Sequence, residues 1–204
     1  MFYSTDKNNH GLPHNPFKAC IVPRPIAWIS SQDREGNINL SPYSYFNALS
    51  DDPPMVMFST TTAHIEGGLK DTIKNIEETG EFVVNLASYD LRESVNKTSA
   101  NLARTQNEFE FAELETEPSM LVKPPRVKAS HIHLECLYHQ SIQLPTKNET
   151  QVNRVVIGKV IGIHIRDTVL TNGLVDVKKL RPIARLGYMD YAVISDIFSM
   201  GRPE

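Results

Sequence analysis

Two long runs in the C-terminal half of the chain alternate apolar and polar residues with a period of two, and such runs form extended strands. From His131 to Leu144, Ile132, Leu134, Cys136, Tyr138 and Ile142 point one way, and His131, His133, Glu135, His139 and Ser141 the other. From Val152 to Arg166, Val155, Ile157, Ile161, Ile163 and Ile165 share one side, with Gly158 and Gly162 opposite. Glycine there permits the bends that a closed sheet needs. Pro145-Thr146-Lys147-Asn148 supplies a turn between the two strands. Strands of this length beside few and short helical segments indicate a mainly β, α+β chain, built as a β-barrel with helical additions rather than a doubly wound sheet.

The N-terminal part agrees with that reading. Seven of the 13 prolines precede residue 60, which breaks this half into brief extended pieces joined by tight turns. Ala19–Ser30 is one piece, interrupted by Pro23-Arg24-Pro25. Gln32–Asn37 has hairpin turn residues, Ile38–Leu40 returns beside the first piece, and Met55–Ser59 is a third. Leu69, Ile73 and Ile76 lie at helical spacing, with Asp71 or Thr72 able to cap the start and Gly80 the end. Glu81–Ala87 is a strand, and Leu91, Val95, Thr98 and Leu102 indicate a second helix starting near Ser88. Asn107–Pro125, rich in Glu and closing on Pro118, Pro124 and Pro125, is expected to be an exposed, mostly irregular excursion.

A formal charge of -3 gives no electrostatic reason to bind a nucleic-acid backbone. No apolar run approaches the roughly 20 residues that span a bilayer, and the N-terminus lacks a secretory pattern, so a cytoplasmic protein without a membrane partner is expected. Cys20 and Cys136 are far apart, in keeping with a reducing compartment. Residues 1–204 are expected to form one domain, since a chain of this size buries a substantial core without staples. The glycines compose neither a dinucleotide fingerprint nor a phosphate loop, and no G-x-S-x-G elbow is present.

Three groups of residues carry candidate chemistry. Lys70-Asp71-Thr72 stands directly ahead of the Ile73/Ile76 helix, preceded by Gly67-Gly68 and the hydroxyl run Ser59-Thr60-Thr61-Thr62. A helix start presents unpaired N–H groups and partial positive charge, and Lys70 adds a full one, an arrangement that holds phosphate. The plainer reading is a capping Asp71 beside a solvated Lys70. His131, His133 and Glu135 on one strand side are a candidate set of metal ligands, or else a polar stripe facing water. Trp28, Tyr43, Tyr45 and Phe46, near Ser30, Ser31, Ser44 and Asn47, mix flat apolar surfaces with hydrogen-bonding groups suited to a planar heterocycle, although aromatic residues at this density also build cores.

The segments VPRPIAWISS (22–31), NLSPYSYFN (39–47), PPMVMFS (53–59) and GGLKDTIKNIEETGEFVVNL (67–86), in this order and spacing, resemble the flavin reductase-like, FMN-binding split-barrel family, which includes flavoredoxin. The likeness resumes more loosely at Val155–Gly158 and at Pro182–Tyr191, where the family's second glycine after Arg-Leu-Gly is replaced by Tyr188-Met189. The resemblance implies a small Greek-key split β-barrel, a homodimer, and FMN bound without a covalent bond. By position, Trp28, Ser30, Ser31, Ser44, Tyr45, Phe46 and Asn47 would line the ring and ribityl chain. Ser59, Thr60, Lys70, Asp71 and Thr72 would surround the phosphate, with Arg24 near it or in a surface ion pair. No catalytic side chain is implied. The function expected is that of an FMN-dependent oxidoreductase taking electrons from NAD(P)H as co-substrate and passing them to a small molecule or a protein. Tyr188, Arg185 and His64 are candidates for the rim where a nicotinamide would stack. The alternatives are a flavoredoxin-like electron carrier without NAD(P)H turnover and a metal-binding barrel.

Overall fold

The computed structural model describes residues 1–148 and 151–203. Seven strands form one antiparallel sheet: β1 (Ala27–Gln32), β2 (Ile38–Tyr43), β3 (Phe46–Asp51), β4 (Pro54–Thr60), β5 (Glu81–Leu86), β6 (Ile132–Leu144) and β7 (Asn153–Ile165). Their spatial order is β2-β1-β5-β6-β7-β4-β3. The two edge strands, β2 and β3, are therefore consecutive in the chain, joined only through Ser44 and Tyr45. Two residues cannot span an open seven-stranded sheet, so the sheet is curled and its edges meet at a seam. The mainly β, split-barrel architecture expected from the sequence is the one observed.

Apolar side chains fill the barrel from every wall: Ala27 and Ile29, Tyr43, Val56 and Phe58, Phe82 and Val84, Cys136, and Val156 with Val160. Helix α1 (Asp71–Thr79) plugs one side with Ile73 and Ile76, both fully buried. It ends where Gly80 adopts a φ of 79° and returns its N–H to Ile76 O, a left-handed cap that glycine takes without steric cost.

A second core lies on the opposite face of β1, β2 and β5. Ile26, Trp28, Leu40 and Ala87 pack there against Val95 of α2 (Arg92–Lys97), Phe109 of α3 (Glu108–Phe111), Val127 and Ile183. Strand β1 is thus buried on both faces. The chain closes with α4 (Val177–Leu180) and a small antiparallel sheet of Arg24–Pro25, Ile183–Arg185 and Tyr191–Val193. Among the described residues, no helix is long and apolar enough to cross a membrane.

Three expectations change. The second helix stops at Lys97 and does not reach Leu102, because Thr98 turns its hydroxyl inward to Val95 O and the Trp28 indole. The acidic stretch after Asn107 is exposed at Glu110, Glu113 and Glu115 as expected, but it begins with a short helix that is partly buried. Asn107 caps α3 by accepting the Phe109 N–H, and this drives Glu108 and Phe109 into the interior. In β7 the buried side chains are Val156 and Val160, flanking Gly158, while Ile163 is 57% exposed. Register slips between Ile157 and Gly158 and between Val160 and Gly162 interrupt the alternation, and the isoleucine row does not line the barrel.

Candidate functional site

The start of α1 is the place where charge and backbone geometry converge. Its N-cap, Lys70, is extended and offers no side-chain acceptor, so among the described residues the amides of Asp71 and Thr72 have neither an intrahelical nor a capping partner, while the Ile73 N–H bonds Lys70 O at 3.0 Å. Lys70, Asp71 and Thr72 line a recess of about 30 Å³ together with Asn39, Ser41, His64, Glu108 and the backbone turn at 100–102. The Lys70 ammonium is half-buried, and among the described residues it makes no hydrogen bond and has no carboxylate within 4 Å. Desolvation lowers its pKa, opposed by the charge of Glu108 across the recess.

Glu108 acts on Lys70 only through space, because its carboxylate oxygens are turned to other donors. It accepts from Asn39 Nδ2 at 2.9 and 3.0 Å and from the Leu40 N–H at 3.1 Å. Burial pushes its pKa up, and these hydrogen bonds pull against the rise. Thr72 belongs to the same chain of bonds: Tyr43 OH donates to its hydroxyl at 2.9 Å, and that hydroxyl donates to Asn39 Oδ1 at 2.6 Å.

Asp71 is likewise engaged. Arg104 binds its carboxylate and also donates to Gly67 O at 2.8 Å and Leu69 O at 2.9 Å. His64 Nδ1 accepts the Glu66 N–H at 3.0 Å, which places the ring proton on Nε2, 3.4 Å from Asp71 Oδ2. Burial, with the positive charges of Arg104 and Lys70, lowers the His64 pKa and favours the neutral ring. Lys70 is thus left as a cation that, among the described residues, has no hydrogen bond and no carboxylate within 4 Å, facing Glu108 only across the recess.

The other expected residues divide into two sets. Ser44, Tyr45, Phe46 and Asn47 occupy the seam, partly or fully exposed, and the Ser59 N–H donates to Tyr45 O at 2.8 Å, which ties the seam to the end of β4. Ser59 keeps its hydroxyl nearly free, with a single contact to Thr60 O at 3.5 Å, while Thr60 is buried. Trp28, Ser30 and Ser31, by contrast, are completely buried and bonded within the chain. Trp28 Nε1 donates to Thr98 at 2.8 Å, Ser30 to Pro125 O at 2.5 Å, and Ser31 accepts from Asn75 at 3.2 Å. A ligand at the surface meets none of their side-chain atoms.

Arg24 makes no ion pair among the described residues and is buried, 6.0 Å from the centroid of the Tyr45 ring. Its guanidinium donates to Lys18 O at 2.5 Å, Ile21 O at 2.6 Å and Leu186 O at 2.8 Å, pinning the N-terminal segment to the C-terminal one. On the rim, Arg185 donates to Tyr188 O at 2.6 Å and lies over the Tyr191 ring.

At His133 and Glu135 the histidine-bearing side of β6 does not face water, since the connection 118–130 covers it there, while His139 farther along is exposed. Glu135 is fully buried and accepts the N–H groups of Met120, Leu121 and Val122 at 2.8, 2.6 and 3.2 Å, with His164 Nε2 at 2.5 Å. His133 Nε2 donates to Val127 O at 2.9 Å, and burial pulls its pKa down to about 4. Among the described residues no group of three or more His, Cys, Asp or Glu is arranged to hold a metal ion.

Sequence reasoning did not single out Asn39, Glu108 or Arg104. Asn39 stood inside the NLSPYSYFN segment, and its commitment to Glu108 and Thr72 emerges only when β2 is laid against α1 and α3.

The family model described as flavin reductase like domain matches residues 19–184. An uncharacterized protein of Aquifex aeolicus (strain VF5) is 38% identical over 168 residues, 82% of each chain. Among solved structures, nitrilotriacetate monooxygenase component B from Bacillus cereus superposes with a TM-score of 0.87 at 30% identity over 98% of each chain. The 2-nitrobenzoate 2-nitroreductase NbaA of Pseudomonas fluorescens superposes with a TM-score of 0.83 at 25% identity, over 100% of this chain and 96% of that one.

Proposed function

The chain belongs to the flavin reductase-like family, and from that premise we propose that it binds FMN without a covalent bond and acts as an FMN-dependent oxidoreductase, with NAD(P)H as electron donor. The observation that carries this reading is the half-buried Lys70 ammonium, which among the described residues has no hydrogen bond and no close ion pair, at a helix start whose first two amides are uncapped. Ammonium and amides together fit a phosphate monoester, because each bond to the anion is charge-assisted and the surroundings screen it poorly. Ser59 adds a hydroxyl with a single weak contact of its own.

When bound, the isoalloxazine ring supplies hydride and single-electron chemistry, and the protein's part is binding, orientation and access. The phosphate end would be held by Lys70, the amides of Asp71 and Thr72, and Ser59. The ring would lie against the seam residues Ser44, Tyr45, Phe46 and Asn47. Trp28, Ser30, Ser31 and the side chain of Thr72, bonded within the chain, would hold β1 and the start of α1 in place rather than touch the flavin. Asn39 and Glu108 hold Thr72 and β2 in register, and Glu108 stays turned from Lys70 toward Asn39 and Leu40. No general acid or base is assigned.

Titration of the purified chain with FMN, followed by anaerobic mixing with NADH or NADPH, tests the reading. Expected are saturable FMN binding and bleaching of the flavin absorbance faster than for free FMN. Binding without accelerated bleaching would instead identify an electron carrier of the flavoredoxin kind, and no binding would end both readings.

We also propose a homodimer. Leu137, Ile142, Leu144, Ile163 and Ile165 on β6 and β7 are each more than a third exposed, an apolar load that a second copy would cover. A cofactor lying on an outer wall gains burial from the same partner. Light scattering at micromolar concentration should return twice the chain mass, and a monomer would overturn the assignment.

A further inference from the structure

Any anion held at the start of α1 meets a difficulty, because Asp71 is the first residue of that helix and brings a negative charge to the same corner. An uncompensated carboxylate there repels the ligand that Lys70 attracts. The loop leading in is also loosely built. Gly67 and Gly68 both have left-handed φ values, 89° and 71°, and the hydrogen bonds of His64 N–H to Gly68 O and of Gly67 N–H to His64 O stay within the loop.

A residue from a distant part of the chain answers both problems. Arg104, in the connection before α3, binds the Asp71 carboxylate and spends its other donors on Gly67 O at 2.8 Å and Leu69 O at 2.9 Å, with Glu66 at 3.8 Å. One guanidinium thus cancels the wrong charge and anchors the two carbonyls on either side of Gly68. Its planar fork fixes the directions of donors to three acceptors at once, where an ammonium's three rotatable donors are not pre-organised.

We infer that Arg104 is the positioning residue of the anion corner, setting its preference for a phosphorylated flavin by neutralising Asp71 and fixing the 64–70 loop, without itself being a ligand. This rests on the reading of that corner as the phosphate end of an FMN site. It assigns a selectivity role to a side chain outside the motif segments 22–31, 39–47, 53–59 and 67–86, within the span 19–184 that the family model matches.

Dissociation constants for FMN and for riboflavin, measured by fluorescence quenching on the full chain, separate the phosphate's contribution from the ring's. Wild type should hold FMN at least about 100-fold more tightly than riboflavin, from two or more charge-assisted bonds. In Arg104→Ala the FMN constant should rise about 10- to 100-fold while that for riboflavin stays within about threefold. Arg104→Lys should recover part of the loss, and adding Asp71→Asn to Arg104→Ala should recover more, because the repelling charge is then gone.

If wild type binds riboflavin as tightly as FMN, the phosphate reading itself fails and this inference with it. If wild type prefers FMN and Arg104→Ala keeps that preference within about twofold, the phosphate reading stands and the role of Arg104 falls. Equal weakening of both flavins, unrelieved by Asp71→Asn, would make Arg104 a prop of the fold and also overturn the inference. Should Arg104→Ala not fold, the FMN-to-riboflavin ratio of Arg104→Lys decides: a wild-type ratio rejects the role.

Discussion

On the outer face of β6, Glu135 collects three backbone N–H groups and a histidine, and His133 beside it spends its N–H on a carbonyl. At the start of α1, Lys70 sits at intermediate depth among Glu108, Asp71 and His64, all of which have partners, and has none itself. Both corners place ionisable groups out of bulk water, yet only at the start of α1 does a charged side chain lack a direct partner among the described residues. Since burying a charge costs several kcal/mol unless it is paired, a charged group with direct partners stabilises the fold, and one without them is open to a partner from outside. Residue type does not distinguish the two corners; the direct partners of their charged groups do, although the neutral His133 ring keeps its buried Nδ1 without one.

The contrast is most exposed to failure at Glu135. Glu135→Ala should cost about 3–5 kcal/mol of stability, because three amides lose their acceptor inside the protein. Urea unfolding measures this, and the FMN affinity of the folded fraction should not change. A midpoint equal to wild type would falsify the structural assignment of that corner.

His133 sharpens the contrast through pH. Its pKa falls from 6.5 to about 4 on folding, so between these values the unfolded chain binds the extra proton. Stability conferred by the neutral buried ring is complete above pH 6.5 and declines as pH drops toward 4, approaching a total loss of about 3 kcal/mol at about 1.4 kcal/mol per pH unit. Urea midpoints over this interval should fall for wild type and fall less steeply for His133→Phe. Parallel curves would show that His133 is not the titrating group.

Lys70→Ala should do the reverse of Glu135→Ala. Binding of FMN weakens by about 1.5–3 kcal/mol, the worth of a hydrogen bond to a charged group, while the urea midpoint holds or rises because a half-buried charge is gone. The smallest effect is expected for Thr72→Ala. Its hydroxyl serves Tyr43 and Asn39, so about 1 kcal/mol should be lost from stability and FMN affinity should change by less than in Lys70→Ala. A larger loss of affinity in Thr72→Ala than in Lys70→Ala would reverse the roles given to the two residues.

Helix α1 was legible because Leu69, Ile73 and Ile76 repeat at helical spacing and Gly80 stands where a left-handed cap is needed. The long pair β6 and β7 was legible from its period of two. Which side of each strand faces inward was harder to read. Strand β1 is buried on both faces, so its serines carry no polar-side signal, and Ser30 and Ser31 look like ligand contacts until Asn75, Asn85 and Pro125 are seen to claim them. The stripe of His133 and Glu135 reads as solvated because periodicity cannot report that residues 118–130 fold back over it. Glu108 hides in an acidic run that composition assigns to the surface. Arg104 is 33 residues from Asp71 in a segment without periodicity, and only tertiary structure brings the two together.

Gly158 in β7 faces the ring of Phe82, whose edge lies 2.4 Å from where a Cβ would stand. The absent side chain lets an aromatic ring pack among the residues that fill the barrel. Under the proposed function the flavin would therefore lie on the outer wall, and the neighbouring copy of the proposed dimer, not the barrel's bore, would set how large an acceptor can approach it.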